Sequence, residues 1–423
     1  MPIWLFKSLL MIYTKNGKLM QIDSVCLKPW RPAFGKNGCR HLQCTLLFVN
    51  CLWALSLLIV FPAEAADSGR RIEVGAQRAV KTLSEASQIA KDGDIVEVDA
   101  GDYIRDVATW TQNDLTLQAV KGRARLIAQG AATESKGIWV VRGGNVTVKG
   151  FDFIGATVPD QNGAGIRLEQ GKLRVEDCRF LDNENGILTG GHGGSTLEIL
   201  NSEFGNNGFG DGRSHNLYVG AIALLKVTGS YFHHAKSGHL LKSRAAKNMI
   251  FYNRLTDEVG GMASYELEFP NGGLAYVMGN VIQQSSTTEN PTVVSFGAEG
   301  YRTETNRLYL INNTLVDMRP QGGQFLRVKP GAEIWAVNNL LLGKGGLEVG
   351  GPGNYKNNFN VDLDDFVLAV REDFHLKPGS KLTGKAVTVD VADGVILRPT
   401  AEYKHPRSIR TLKGGALSPG AMQ

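Results

Sequence analysis

Beyond residue 66 this 423-residue chain holds a single cysteine, Cys178; the other four, Cys26, Cys39, Cys44 and Cys51, stand in its first 51 residues. The body can form no internal disulfide, which excludes a small bridge-stapled fold and requires a core large enough to stand without one. Net charge is missing as well. Seven of the 46 Lys and Arg and two of the 41 Asp and Glu lie in residues 1–66, which leaves 39 of each sign in the rest. A neutral body lacks the basic footprint of a nucleic-acid binder. The long apolar run, Leu46–Phe61, falls short of the roughly 20 residues a membrane helix needs. No nucleotide fingerprint, zinc spacing or nucleophile elbow occurs, and Gly143–Gly144 reads as a turn with no phosphate motif after it.

Glycine is what the chain has in excess: 51 residues, about 12% against an average of about 7%. The demand for turns has a period. Phe153, Phe180, Phe204, Phe232, Leu255, Ile282, Leu315 and Leu341 follow one another at intervals of 23 to 33 residues. Phe151, Cys178, Ser202, Ser230, Asn253, Asn280, Asn313 and Asn339 stand two positions earlier. Such a period means one supersecondary unit stacked many times. Segments such as KLRVEDCRF and LYLINNTL alternate with period two and are bounded by Gly and Asn, so the units are strands. The expected fold is all-β: a single-stranded right-handed parallel β-helix whose successive coils lie about 4.8 Å apart. The polar column predicts an internal ladder of stacked side chains. Asn suits its bend by tolerating left-handed backbone angles, and Cys178 reads as a small buried filler.

Lys28, Arg31, Lys36 and Arg40 precede the apolar run 46–61, and FPAEAA closes it with small residues at Ala63 and Ala65. That is the layout of a secretory signal peptide. The stretch before it is long for one, which puts the expected translation start downstream of Met1. The expected divisions are a leader over 1–66, a β-helix over 67–365 and an irregular C-terminal capping segment over 366–423. The mature protein is expected to be secreted or periplasmic, monomeric and without a membrane span. Lys81–Lys91 predicts a short amphipathic helix with Leu83, Ala86 and Ile89 on one face, placed to plug the apolar end of the coil stack. With the turn, strand and turn of DGDIVEVDAGDY after it, this opening resembles the first coil of the pectate-lyase-like parallel β-helix superfamily.

Three consecutive coils depart from ordinary filler: SHNLYVG, GHLLKSR and SYELEFPNGG. Aligning Leu217, Leu241 and Leu267 as inward residues puts Tyr218, Lys242 and Glu268 in one outward column. That column continues to Ser295 and Arg327 and starts below at Glu169. A second column two residues back holds Asn216, Leu240 and Glu266. A base, a phenol and a carboxylate one strand spacing apart on a rigid wall make a candidate catalytic cluster, with His215, His239, Arg244 and Tyr265 close in sequence. A surface salt bridge between Lys242 and Glu268, with Tyr218 over the lysine stem, is the plainer alternative. The connections Asn206–His215 and Ser295–Asn306 border this face, the second bringing Glu299 and Tyr301.

KSRAAKN, followed by a strand and GNVI, resembles the chondroitinase-B/alginate-lyase family of β-helix polysaccharide lyases. The resemblance implies a catalytic base at a Lys–Ser pair, here Lys242 and Ser243, and a partner acid at an Arg on the next coil. Glu268 stands at that Arg position, which leaves the acid role to Tyr218, His239, Arg244 or Arg327. The implied reaction is β-elimination on a uronate-containing acidic polysaccharide, which needs a proton acceptor and positive charge beside the substrate carboxylate. A Ca²⁺ held by Glu266 and Glu268 is the conditional cofactor. His215, Asn216, Tyr265, Arg327 and Glu299 are the expected substrate contacts, and Tyr218, Tyr231, Tyr265 and Tyr301 offer faces for sugar stacking. Two other readings stand beside it. Glu266 and Glu268, roughly 6.5–7 Å apart as alternate strand residues, fit an inverting glycoside hydrolase. A non-catalytic polysaccharide-binding envelope protein would use the same face.

Overall fold

A computed structural model describes residues 69–347 and 352–423; the apolar run, the small-residue site at Ala63 and Ala65 and the rest of the leader lie outside the described residues. The body is a right-handed parallel β-helix of about ten coils. A full coil sends one strand to a ten-stranded sheet and two to a 21-stranded sheet that folds around the opposite side. No helix among the described residues is long and apolar enough to cross a membrane.

The repeat seen in sequence is the register of the structure. Phe153, Phe180, Phe204, Phe232, Leu255, Ile282, Leu315 and Leu341 are Cα partners, each with the next. The four phenylalanines are buried and stack nearly parallel, with ring centroids 4.9, 4.7 and 4.6 Å apart. That spacing is the strand spacing itself, so one inward aromatic per coil packs like a pile of coins.

The polar ladder is also present. The Nδ2 of Asn253 donates to Asn280 Oδ1 at 3.0 Å, Asn280 to Asn313 at 3.0 Å, Asn313 to Asn339 at 3.1 Å and Asn339 to Asn358 at 2.8 Å. Downward it continues through hydroxyls, with Ser230 Oγ accepting from Ser202 N and Ser202 Oγ from Cys178 N. Cys178 is fully buried, and burial pushes its thiol up to about 12, which suits a filler. The ladder asparagines are not themselves the left-handed residues that the sequence predicts. The left-handed residues are those one position earlier, among them Tyr252 (φ 55°), Gly279 (φ 69°), Asn312 (φ 50°) and Asn338 (φ 61°). The ladder asparagines are selected for their amide pairs, and their predecessors make the bend.

The expected first helix is shorter than Lys81–Lys91. It spans Leu83–Ile89, with Thr82 and Glu85 forming a capping box and Asp106 accepting from the N–H groups of Leu83 and Ser84. Leu83 and Ala86 enter the core, whereas Ile89 falls at the helix end and is 46% exposed. The C-terminal segment runs back along the flank of the 21-stranded sheet. Thr400 N bonds Tyr252 Oη, Val387 O takes Asn338 Nδ2, and Arg407 reaches Asp177 and Glu203.

Candidate functional site

The strands Leu217–Val219, Leu241–Ser243 and Leu267–Phe269 of the ten-stranded sheet carry the site. Tyr218 pairs in register with Lys242, Lys242 with Glu268, Glu268 with Ser295 and Ser295 with Arg327, as the alignment of inward leucines predicts. Leu217, Leu241 and Leu267 are fully buried in the core and so fix the opposite face of each strand. The lower end of the column differs from expectation. Below Tyr218 stand Leu188 and then Arg167, while Glu169 lies past the strand end, engaged by Lys136 (2.5 Å) and Arg142 (2.6 Å).

The side chains on this ridge form one connected network. Lys242 Nζ lies 3.2 Å from Glu268 Oε2 and 3.2 Å from Glu299 Oε1. Arg244 donates from Nη1 to Glu299 Oε2 at 2.7 Å and from Nη2 to Oε1 at 2.9 Å, a two-pronged grip on one carboxylate. Its Nε donates to Tyr218 Oη at 3.1 Å, and Nη1 also reaches Asn271 Oδ1 at 2.6 Å. The Arg244 contact holds the Glu299 carboxyl down to about 2, with Lys242 adding to it against burial. Burial alone would raise Glu268, but His239 and Lys242 outweigh it and keep the carboxyl below its ordinary range.

Two histidines back the network. His239 Nδ1 lies 3.1 Å from Glu268 Oε2, without the alignment of a formed hydrogen bond. His215 Nδ1 accepts from the His239 backbone N–H at 2.9 Å, and its ring meets Tyr218 edge-on at 5.2 Å. Both imidazoles are buried, which lowers their pKa values and favours the neutral form. Tyr265 packs edge-on against His239.

The structure therefore brings together Tyr218, Lys242, Arg244, Glu268, His239, His215, Tyr265 and Glu299. It adds Asn271, which sits in the quoted SYELEFPNGG stretch but whose role depends on the turn that aims it at Arg244. Glu299 arrives from a connection tied down by backbone bonds from Gly297, Glu299 and Arg302 to the carbonyls of Phe269, Pro270 and Asn271. Arg327 shares the column but is exposed two rungs beyond Glu268. Ser243 turns inward and donates to Asn248 Oδ1 at 2.6 Å, so it lies outside the ridge.

The second expected column does not form an outward face. Asn216 is fully buried and belongs to a further interior ladder, accepting from Asn207 Nδ2 at 2.8 Å and donating to His233 O. Leu240 is core. Glu266, also fully buried, precedes its strand at the corner of the coil, where Asp257 and Asp317 are its charged neighbours. Alternation along a straight strand does not apply at such a corner, so Glu266 does not share the outward face on which it was expected beside Glu268. Among the described residues, no three His, Cys, Asp or Glu side chains converge in a way that could hold a metal. Tyr231 leaves the group as well. It stacks with His233 and bonds Glu258 on the 21-stranded sheet.

Among solved structures, the chain is similar to pectate lyase Pel9A, with a TM-score of 0.52 at 12% identity over 84% of this chain and 97% of that one. At lower similarity stand a PL6-family alginate lyase, AlyGC (TM-score 0.35, 12% identity, 74% of this chain and 55% of that one), and a PL6 alginate lyase in complex with a trisaccharide (TM-score 0.31, 14% identity, 67% and 61%). No protein-family profile and no curated protein matches the sequence. The first likeness is one of fold alone, a parallel β-helix shared with that lyase.

Proposed function

We propose that this chain is an exported enzyme that cleaves an acidic polysaccharide by elimination at the Tyr218–Lys242–Arg244 ridge. The observation that carries this reading is the fork formed by Lys242 and Arg244, which already holds a carboxylate, that of Glu299. A uronate carboxylate offers the same chemistry. In the fork it would be neutralised by Arg244, which lowers the cost of removing the proton at the adjacent carbon and of holding the enolate that follows. Lys242 is the proton acceptor. As a base it acts from the neutral amine, while Arg244 carries the charge that holds the substrate carboxylate. Tyr218, one rung away, gives a proton to the departing glycosidic oxygen. The bond between that oxygen and its sugar breaks as the new carbon–carbon double bond forms.

Lys242→Ala, Lys242→Arg and Tyr218→Phe, assayed on polygalacturonate, alginate and hyaluronan by ultraviolet absorbance of unsaturated ends, test these roles. The expected result is a kcat loss on the order of 10³-fold for both lysine variants and for Tyr218→Phe. Lys242→Arg retaining most of the activity would reduce Lys242 to a carboxylate holder. Binding without cleavage by the unaltered protein would leave a polysaccharide-binding protein in place of an enzyme.

A further inference from the structure

Arg167 was not singled out by its sequence context, yet among the described residues it is a ridge cation without a partner, and unlike Arg327, also unpaired, it is not fully exposed. It occupies the outward column two rungs below Tyr218, with Leu188 between them. Its guanidinium is half-buried and makes no ion pair or hydrogen bond among the described residues, its Nε being enclosed without a partner. Glu169, the nearest acidic neighbour along the chain, is already taken by Lys136 and Arg142. Burial pulls the Arg167 pKa down, with Glu169 and Tyr218 opposing, though a guanidinium stays charged throughout the physiological range. A charge withdrawn from water without a counter-charge is costly, and the group that would satisfy it is an anion with two acceptor oxygens.

The space for that anion exists. Arg167 lines a pocket of about 550 Å³, together with Asn185, Thr189, Gly190 and Tyr218. Asp160, Asp211 and Arg213 also line it and are exposed, and neither acid forms an ion pair with Arg167. Tyr218 belongs both to this pocket and to the Lys242–Arg244 network, which makes the two continuous. Three rungs separate Arg167 from Lys242, roughly 14 Å at the strand spacing, more than one sugar residue spans.

We propose that the Arg167 pocket is a second carboxylate-binding subsite, taking the acid group of a non-reacting residue in the same polysaccharide chain whose reacting residue lies in the Lys242–Arg244 fork. This rests on the polysaccharide reading, but it concerns binding and not the chemical step. Arg167 holds one uronate while the next stretch of chain crosses Tyr218. The site therefore favours long acidic polymers over short oligomers and over chains whose carboxyl groups have been reduced.

The test measures binding of the mature protein, Arg167→Gln and Arg167→Lys to polygalacturonate, alginate and hyaluronan by titration calorimetry, with carboxyl-reduced polygalacturonate as control. Arg167→Gln should weaken binding of the preferred acidic polymer about tenfold, leave the reduced polymer unaffected and leave the thermal midpoint unchanged or higher, since a half-buried charge without a partner is removed. Arg167→Lys should recover part of the loss. Unchanged affinity in Arg167→Gln, equal weakening toward the reduced polymer, or no binding of any acidic polymer by the unaltered protein would overturn the proposal. Cleavage is read separately on the same samples: Arg167-dependent binding with no unsaturated product would sink the elimination reading and leave the subsite standing.

Discussion

Under the proposed mechanism, Glu299 is an internal stand-in for the substrate carboxylate. Its backbone is pinned to residues 269–271, but its side chain is 41% exposed and reaches back to sit between Lys242 and Arg244. The proposed uronate carboxylate would compete with it for the same donors. Glu299→Gln keeps the shape and removes the charge, so the fork loses its resident anion. Under the proposed mechanism the variant should show a KM several-fold lower on acidic polymer, with kcat unchanged or raised, in steady-state assays of product absorbance. A KM that rises instead would mean that Glu299 orders the fork and does not compete for it.

At the scale of the coil, the ladder supports the stack. Asn313 donates to Val277 O and Asn339 Oδ1 and accepts from both the backbone and side chain of Asn280. Asn313→Ala removes all of these at once inside a fully buried column, leaving the Asn280 backbone N–H without its acceptor. The cost should be on the order of 3 kcal/mol, read as a drop of several degrees in the thermal midpoint, with far-ultraviolet dichroism unchanged below it. A neutral outcome would mean that water replaces the amide. This element was legible from sequence because a ladder repeats: each coil restates the same residue at the same offset. The outward column from Tyr218 to Arg327 was legible for the same reason, since buried leucines fix which face each neighbour takes. Legibility failed at the corners. Glu266 and Asn216 stand just before their strands, where the chain turns and period-two alternation no longer holds, so both were assigned outward and both are enclosed. Arg167 and Asn271 were missed for another reason: one is conspicuous only through its lack of a partner, the other only through the turn that aims it.

For the molecule as a whole, the enclosed acids make one contribution to how stability responds to pH. Asp257, Glu266 and Asp317 lie at the corner leading into the ridge sheet, and each is buried. Burial is the main cause that pushes Asp257 up from 3.8 to about 7, Glu266 well above its ordinary value and Asp317 upward. Glu266 has neither carboxylate oxygen hydrogen-bonded, and Thr288 lies beside Asp257 without the geometry of a formed bond. Such groups hold their protons in the folded state at a pH where the unfolded chain has released them. The folded state then binds more protons than the unfolded one, so stability falls as pH rises from the ordinary carboxylate range through about 7. Glu299 acts in the opposite sense and in a separate window: its lowered pKa contributes stability that is lost only as pH falls below the ordinary carboxylate range toward about 2. Because the interior acids interact, their titration belongs to the group and not to one residue. Asp257→Asn fixes the protonated shape at one position and keeps an acceptor for the Ala263 N–H, now 2.7 Å from Asp257 Oδ2. His215 and His239, held neutral by burial, pull the other way below their ordinary value of 6.5, so chemical denaturation at pH 5, 6, 7 and 8 is read as a difference: Asp257→Asn should gain stability relative to the unaltered protein as pH rises. The variant should end more stable at pH 8 by on the order of 2 kcal/mol. Parallel slopes for the two proteins would mean that Asp257 ionises freely in the fold, and the enclosed corner would then have to admit water or a counter-ion.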